Sequence, residues 1–361
     1  MSKEKIYKNL QKILSEKVLL VVGTGASMTL DLDFGMKKLK NELIAKVPDT
    51  ISSCKDAVKQ WNKVESCVKD GSILETAMDG IKSKLLLQSI KKITGNLVAG
   101  LDRKYKDKIL IDNIDLPIEH FLQKLFSGLP ESNPVLNIVT PNYDMLLEHC
   151  CDKLKIPFCN GFVGGIKKYY DWSQSIKLME FTKKIIVKPK PKKVARTKQH
   201  VRLHKVHGSL NWFKSQDGLI QDNSLAYVVR NQYDRMLITP GDSKFEDVLE
   251  NSREILNHAD ESIRTEKAFV FVGYGFNDIH INKELKNALI TNEYPGIIIS
   301  RGLSERAEEF VLKSKNMWAV TRDKENKKNT AILHNSLSKP IIFSNLDIWQ
   351  IDKFSKEILG D

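Results

Sequence analysis

Four short stretches of glycine and polar residues could carry chemistry in this 361-residue chain. In chain order they are Gly23-Thr24-Gly25-Ala26-Ser27, Thr140-Pro141-Asn142-Tyr143-Asp144, Val206-His207-Gly208-Ser209 and Gly273-Tyr274-Gly275-Phe276. Each follows a run of apolar residues that favours a buried strand. Because ligands of open α/β sheets bind in the crevice at the carboxyl ends of the strands, we expect these stretches to meet at one site.

The first stretch, Gly23–Ser27, is typical of a turn that binds a dinucleotide. Glycine lets the main chain approach a pyrophosphate, and amide N–H groups at a helix start meet its charge. The match to G-x-G-x-x-G is partial, because Met28 stands at the third glycine position. A tight strand-to-helix turn without a ligand would have the same residues. The chain has no G-x-x-x-x-G-K-[ST] sequence, which argues against a Walker-type ATPase.

Asn142, Asp144 and His207 are the side chains best suited to catalysis. An amide is both donor and acceptor, so Asn142 could hold a ribose hydroxyl or a water molecule. Asp144 could belong to the same site or only cap the following helix, as Asp278 could cap a later one. His207 stands beside a glycine turn, and the ordinary pKa of imidazole lies near neutrality, as a general base requires.

Strand and helix patterns alternate along the chain. Apolar runs predict strands at 18–22, 136–140, 202–207, 236–239, 268–272, 296–300, 317–321 and 340–343. Helical spacing of apolar residues predicts helices at 2–16, 117–126, 144–154, 245–264, 279–290, 304–314 and 353–359. This order predicts an α/β fold, a doubly wound Rossmann-like parallel sheet.

The domain organisation follows from where the alternation stops. Between Lys37 and Leu101 apolar residues recur at helical spacing with no strand-like run, which predicts an inserted helical lobe at about 37–130. We therefore expect one domain at 1–321 and a C-terminal extension at 322–361 packed on it.

The positive charge is concentrated in one segment. The net charge is +12, from 57 Lys and Arg against 45 Asp and Glu, and ten basic residues but no acid lie between Lys183 and Lys205. This basic segment, 183–205, could contact nucleic acid or another polyanion. A solvated basic hairpin beside a charged cofactor or partner is the alternative, because no aromatic residue is interleaved for base stacking.

Composition excludes several classes of protein. Apolar residues make up 41% and charged residues 28%, unlike a collagen or a disordered chain. The apolar runs are too short to cross a bilayer, so we expect no membrane contact. Five cysteines with no C-x-x-C pair favour reduced thiols in a cytoplasmic protein.

In their order, the four stretches resemble the motifs of the sirtuin-like (Sir2-type) domain family. They are most similar to its bacterial antiphage-defence branch, whose members destroy NAD. Thr24 stands where the sirtuin glycine motif usually has Ala, and Pro141 and Tyr143 depart from its Thr-Gln-Asn-(Ile/Val)-Asp motif. The resemblance implies that Asn142 and Asp144 hold the NAD ribose and that His207 is the catalytic base.

The resemblance also implies which residues bind NAD. The residues implied for the pyrophosphate are Gly23, Thr24, Gly25, Ala26 and Ser27. Those implied for the adenosine half are Gly273, Tyr274, Gly275, Phe276 and Ser300. Deacylase sirtuins carry a four-cysteine zinc module after the histidine motif, whereas this chain has no cysteine after Cys159. The expected activity is therefore hydrolysis of NAD to nicotinamide and ADP-ribose, with no zinc or other metal, rather than protein deacylation.

Related systems imply how such an activity is controlled. A free NADase would kill its own cell, so we expect gating by assembly or by a partner in an abortive-infection system. The resemblance implies a homo-oligomer and a partner such as a HerA-like ATPase/helicase or a short Argonaute. Two alternatives stay open: a non-catalytic NAD or ADP-ribose sensor, and a nucleic-acid-binding or nuclease component of such a complex.

Overall fold

Helices and strands alternate along most of the computed structural model, which describes residues 1–185, 192–216, 218–228, 234–239 and 246–360. The helices are α1 (Lys3–Ser15), α2 (Thr24–Ser27), α3 (Met36–Ile51), α4 (Lys55–Lys69), α5 (Leu74–Ala77), α6 (Lys84–Leu110), α7 (Glu119–Ser127), α8 (Leu146–Lys153), α9 (Trp172–Lys177), α10 (Glu246–Thr265), α11 (Ile279–Lys286), α12 (Glu305–Lys313) and α13 (Ile351–Leu359). The strands are β1 (Leu19–Val22), β2 (Val135–Thr140), β3 (Phe158–Cys159), β4 (Phe162–Gly164), β5 (Lys168–Tyr170), β6 (Glu180–Ile185), β7 (Lys192–Thr197), β8 (His200–Lys205), β9 (Gly208–Ser215), β10 (Gly218–Gln221), β11 (Asp234–Leu237), β12 (Phe269–Val272), β13 (Gly296–Ser300), β14 (Met317–Arg322), β15 (Thr330–His334) and β16 (Ile341–Phe343).

A nine-stranded sheet forms the centre of the fold, in the order β16-β15-β14-β13-β12-β1-β2-β8-β3. The strands from β14 to β3 run parallel, and β15 and β16 extend one edge antiparallel. Strand β1 pairs with β12 on one side and with β2 on the other, so the strand order reverses at β1. The predicted doubly wound, Rossmann-like parallel sheet is confirmed.

Helices cover both faces of the sheet because its inner strands are apolar on both sides. Every residue of Leu19–Val22 and of Phe269–Val272 is buried. One core places side chains of α1, α7, α8 and α13 against one face of the sheet. A second core places side chains of α10, α11 and α12 against the other. The loops after the parallel strands therefore start from a rigid edge.

Helices α3, α4, α5 and α6 form a helical lobe between β1 and β2. Its own core contains Leu43, Trp61 and Ile90, which are buried against one another. Helix α6 is 27 residues long, and its later turns leave the lobe and pack against α8. It therefore connects the lobe core to the residues that follow β2.

A second sheet lies outside the Rossmann-like alternation. Its five antiparallel strands have the order β11-β9-β10-β5-β4. The expectation that 236–239 is a strand of the parallel sheet is wrong, because Asp234–Leu237 pairs with β9 in the second sheet. A short apolar run indicates a strand but carries no information about its partner.

The described parts of the basic segment lie mainly in strands β6, β7 and β8. Strands β6 and β7 pair with each other as a separate two-stranded sheet. Residues 186–191 of the segment, with Lys188 and Lys190, lie outside the described residues. Among the helices that the structure describes, none has both the length and the apolar character that crossing a membrane requires.

Candidate active site

Ser27, Asn142 and Asp144 form one hydrogen-bonded cluster at the carboxyl ends of β1 and β2. The Asn142 side-chain amide donates to Ser27 Oγ at 3.1 Å, and Ser27 Oγ donates to Asp144 Oδ2 at 2.8 Å. Thr24 Oγ1 lies 3.4 Å from Asn142 Oδ1, a long hydrogen bond. The first two of the four predicted stretches therefore meet through their side chains.

The loop that carries Asn142 is fixed by the last residue of β2. Thr140 Oγ1 donates to the Val22 carbonyl at 2.7 Å and accepts from the Asn142 amide N–H at 3.1 Å. One hydroxyl thus ties the end of β1 to the turn after β2. This tie holds the Asn142 side chain above the sheet edge without help from a ligand.

A small cavity opens beside this cluster. Its polar lining consists of Ser27, Thr29, Asn142 and Asp144, and apolar side chains such as Leu30 and Leu116 line other parts of it. A few convergent polar groups on an apolar wall are typical of small-molecule sites. The cavity therefore places polar groups of the first two stretches against an apolar wall.

Asp144 is the carboxyl group of the cluster, and its pKa is shifted from the ordinary value. Complete burial raises its pKa to about 6, although the nearby Lys205 ammonium acts in the opposite direction. Lys205 is itself buried, and its Nζ donates to the Asp144 carbonyl and to Glu148 Oε1. Asp144 can therefore change its protonation state close to neutral pH, as an acid–base group of a site requires.

A buried polar network supports the cluster from behind. Asp102 of α6 is fully buried and accepts from the Met145 amide N–H at 2.6 Å and from Tyr227 Oη at 2.6 Å. His149 Nε2 lies 3.0 Å from the same carboxylate. Burial would raise the pKa of Asp102, but His149 and these donors lower it below its usual value. A long helix of the lobe thus fixes the residue directly after Asp144.

His207 has an acidic partner from the other half of the sheet. Its Nε2 lies 2.7 Å from Oδ2 of Asp278, whose side chain is almost fully buried. Asp278 also caps α11, because its Oδ1 accepts from the N–H groups of His280 and Ile281. Burial alone would raise the pKa of Asp278, but His207 and the cap contacts lower it below the usual range. The carboxylate is therefore ionised at neutral pH and faces the imidazole.

The His207 turn is also joined to the Asn142 loop through the main chain. The Leu210 N–H donates to the Tyr143 carbonyl at 3.1 Å, and the Val206 N–H donates to the Thr140 carbonyl at 3.0 Å. The sequence predicted a strand at 202–207 that ends with His207. Strand β8 instead ends at Lys205, so His207 lies in the turn between β8 and β9. In the described residues, no side-chain hydrogen bond joins the His207–Asp278 pair to the Ser27 cluster.

The glycines of the first and fourth stretches pack directly against each other. A Cβ on Gly23 would lie 2.5 Å from the Gly273 carbonyl oxygen, and one on Gly273 would lie 2.4 Å from the Ala26 nitrogen. The Gly23, Gly25 and Ala26 amides donate to the carbonyls of Val272, Gly273 and Gly23, respectively. Close packing between the two turns therefore requires these glycines, and their binding to a pyrophosphate stays a prediction.

The side chains of the remaining predicted residues have other surroundings in the described structure. Tyr274 and Phe276 are buried in the core beside Phe271, and Tyr274 Oη donates to Asn282 Oδ1. Ser300 Oγ donates to the Gly302 carbonyl at 2.8 Å. Gly275 has room for a Cβ, with Asn277 Nδ2 at 3.4 Å. Only the main chain of Tyr274 and Phe276 is available to a ligand in this conformation.

Sequence reasoning missed three charged residues that support the site. Asp278 was considered only as a helix cap, although it follows the Gly273–Phe276 stretch by two positions. Lys205 could have been found as a cation inside an otherwise buried strand. Asp102 gave no signal, because it precedes a run of ordinary charged residues in a long helix.

A comparison with models of known protein families found one match. A family model described as "SIR2-like domain" matches residues 136–335, which is more than half of the chain. That range includes Asn142, Asp144, His207 and Gly273, whereas the Gly23–Ser27 turn precedes it. No curated protein matches the chain. Within the described residues, no group of three or more His, Cys, Asp and Glu side chains is placed to hold a metal ion.

Proposed function

The chain belongs to the SIR2-like domain family, and from that premise we propose that it hydrolyses NAD to nicotinamide and ADP-ribose. The family is compatible with NAD as the substrate, and the crevice lies where an open α/β sheet binds its ligands. The observation that carries the proposal is the pairing of His207 with the Asp278 carboxylate at 2.7 Å. It provides an oriented base beside the loop of Asn142 and Asp144.

The acidic partner determines which nitrogen of His207 can act. Among the described residues Asp278 Oδ2 has no aligned hydrogen-bond donor, although His207 Nε2 lies within ion-pair distance of it. Because a carboxylate can only accept hydrogen bonds, its charge favours the His207 tautomer that carries the proton on Nε2. Nδ1 then has a free lone pair and is the atom that removes a proton from a ribose hydroxyl or from the attacking water. General-base assistance of this kind contributes on the order of a hundredfold to ten-thousandfold in rate.

The Ser27–Asn142–Asp144 cluster would receive the nicotinamide–ribose end of NAD. Cleavage of the bond to nicotinamide builds positive charge on the sugar, as in other glycosidic cleavages. Asp144, with a pKa of about 6, is largely ionised at neutral pH and stabilises that charge. Asn142 orients the ribose and the water, while Thr140 holds Asn142 in place. The apolar cavity wall excludes competing water from the leaving group.

Turnover of purified protein with NAD tests this function. Nicotinamide and ADP-ribose are separated by chromatography for the native protein and for His207→Ala and Asn142→Ala, both of which should lose turnover. His334→Ala is a matched control, because His334 lies in β15 and packs against the Trp318 ring, away from these loops. Full activity in His207→Ala would exclude the proposed base, and NAD binding without any turnover would favour a sensor.

We further propose that this activity serves bacterial antiphage defence by abortive infection in the cytoplasm. The support is the resemblance of the four stretches to the defence branch of sirtuin-like proteins. The proposed gate is assembly into a homo-oligomer, with a HerA-like ATPase/helicase or a short Argonaute as partner. Light scattering during size-exclusion chromatography, combined with NAD turnover with and without the partner, tests it. A monomer with full activity alone would contradict the gate.

A further inference from the structure

Strands β6 and β7 form a ribbon that is independent of both larger sheets. Its register pairs Phe181 with Arg196 and Lys183 with Val194. Described side chains on both of its faces are exposed, Lys183 on one face and Lys193 on the other. Because an isolated two-stranded hairpin is only marginally stable in water, a ribbon without sheet neighbours is a typical place for a partner to bind.

The base of the ribbon is attached to the body of the protein. The Lys198 N–H donates to the Met179 carbonyl at 2.7 Å, and Lys198 Nζ donates to the Leu178 carbonyl at 3.3 Å. The chain then enters β8 of the central sheet at His200. The orientation of the ribbon is therefore set by α9 and by the central sheet.

The ribbon carries positive charge that the protein does not neutralise. Lys183, Lys193, Arg196 and Lys198 are exposed. In the described part of the chain, none of these four lies within ion-pair distance of a carboxylate. Four exposed cations so close together repel one another, and a polyanion removes that repulsion. The charge pattern therefore favours a ligand with many phosphates over one with a single charge.

The register distributes these cations over both faces of the ribbon. Residues opposite each other in an antiparallel pair point to the same face, so Lys183 and Arg196 share one face with Phe181. Lys193 alternates to the opposite face. The major groove of B-form DNA is about 12 Å wide, admits a two-stranded ribbon and presents phosphates on both of its walls. Cations on both faces match this arrangement.

We propose that the β6–β7 ribbon is a binding arm for duplex DNA that enters the major groove. Phosphate contacts from Lys183, Lys193 and Arg196 supply the affinity, which is therefore independent of sequence. Phe181, 44% exposed, is the apolar contact of the same face. A single-stranded ligand fits less well, because it needs a series of aromatic side chains for stacking. Duplex RNA fits less well because its major groove is too deep and narrow.

Fluorescence anisotropy with a labelled 20-base-pair DNA duplex at several salt concentrations tests the arm. Each phosphate contact contributes about −0.9 to the slope of log K against log salt. The triple variant Lys183→Gln/Lys193→Gln/Arg196→Gln should reduce the steepness of that slope by about 2.7 and weaken binding near 0.1 M salt on the order of a hundredfold. Lys55→Gln/Lys59→Gln/Lys63→Gln on α4 is the control, because it removes the same charge from another exposed surface.

The control should bind DNA almost as the native protein does, and both variants should retain NAD turnover. Equal loss of binding in the two triple variants would overturn the arm, since it would show an effect of total charge. Stronger binding to duplex RNA, to single strands or to polyglutamate would also overturn it, as would the absence of any DNA binding. None of these outcomes bears on NAD hydrolysis, which is measured separately.

Discussion

Replacing Asp144 with asparagine should change how the stability of this protein depends on pH. Asp144 is fully buried, and its pKa of about 6 in the folded state exceeds the 3.8 of an ordinary aspartate. One pKa unit corresponds to about 1.4 kcal/mol, so the difference between the two states is worth about 3 kcal/mol. This magnitude is large compared with the effect of most surface substitutions.

The direction of the effect follows from proton binding. Between pH 4 and pH 6 the folded protein holds the Asp144 proton, whereas the unfolded chain has released it. The contribution of Asp144 to stability is therefore complete at low pH and falls as pH rises through about 6. About 2 of the 3 kcal/mol is lost between pH 4.5 and pH 7.5. Asparagine does not titrate, and its side-chain oxygen can still accept from the Leu146 N–H.

Urea unfolding followed by circular dichroism measures this difference. The free energy of unfolding is determined at pH 4.5, 5.5, 6.5 and 7.5 for the native protein, Asp144→Asn and the exposed control Asp49→Asn. The value for Asp144→Asn minus that for the native protein should rise by about 2 kcal/mol across this range. A constant difference would refute the raised pKa, and so would an equal rise in Asp49→Asn.

Three further substitutions test the packing and the base. Gly273→Ala places a Cβ 2.4 Å from main-chain atoms at a residue with a φ of +58. The free energy of unfolding, measured with urea, should therefore fall by at least about 3 kcal/mol. The control Gly100→Ala, where a Cβ meets open space, should leave stability unchanged or raise it. Asp278→Asn presents an N–H group to His207 Nε2 and favours the wrong tautomer. It should lower kcat for NAD about tenfold to a hundredfold with KM little changed, and an unchanged kcat would exclude the pair. Asp102→Ala leaves buried donors without an acceptor, so the free energy of unfolding, measured by thermal unfolding, should fall by about 3 kcal/mol. The exposed control Asp49→Ala should change it little.

Most of the parallel strands of the central sheet could be predicted because they depend on local patterns. Runs such as 18–22 and 268–272 are wholly apolar, and only a strand buried on both faces explains them. The polar residues after the run at 136–140 and at the end of the run at 202–207 predicted that Asn142, Asp144 and His207 lie near one sheet edge. The helical lobe was equally visible, because its apolar residues keep helical spacing over a long stretch.

Contacts between residues distant in the chain were decided only by the tertiary structure. The His207–Asp278 pair joins the turn between β8 and β9 to the start of α11, and the Asp102 network joins α6 to α8. The second sheet, too, depends on which strands come together, as the wrong placement of 236–239 shows. The pKa of Asp144 is raised by burial and opposed by the Lys205 ammonium. Neither influence can be read from the neighbours of Asp144 in the sequence. Local sequence therefore determined which groups reach the crevice, whereas packing determined their partners and their protonation.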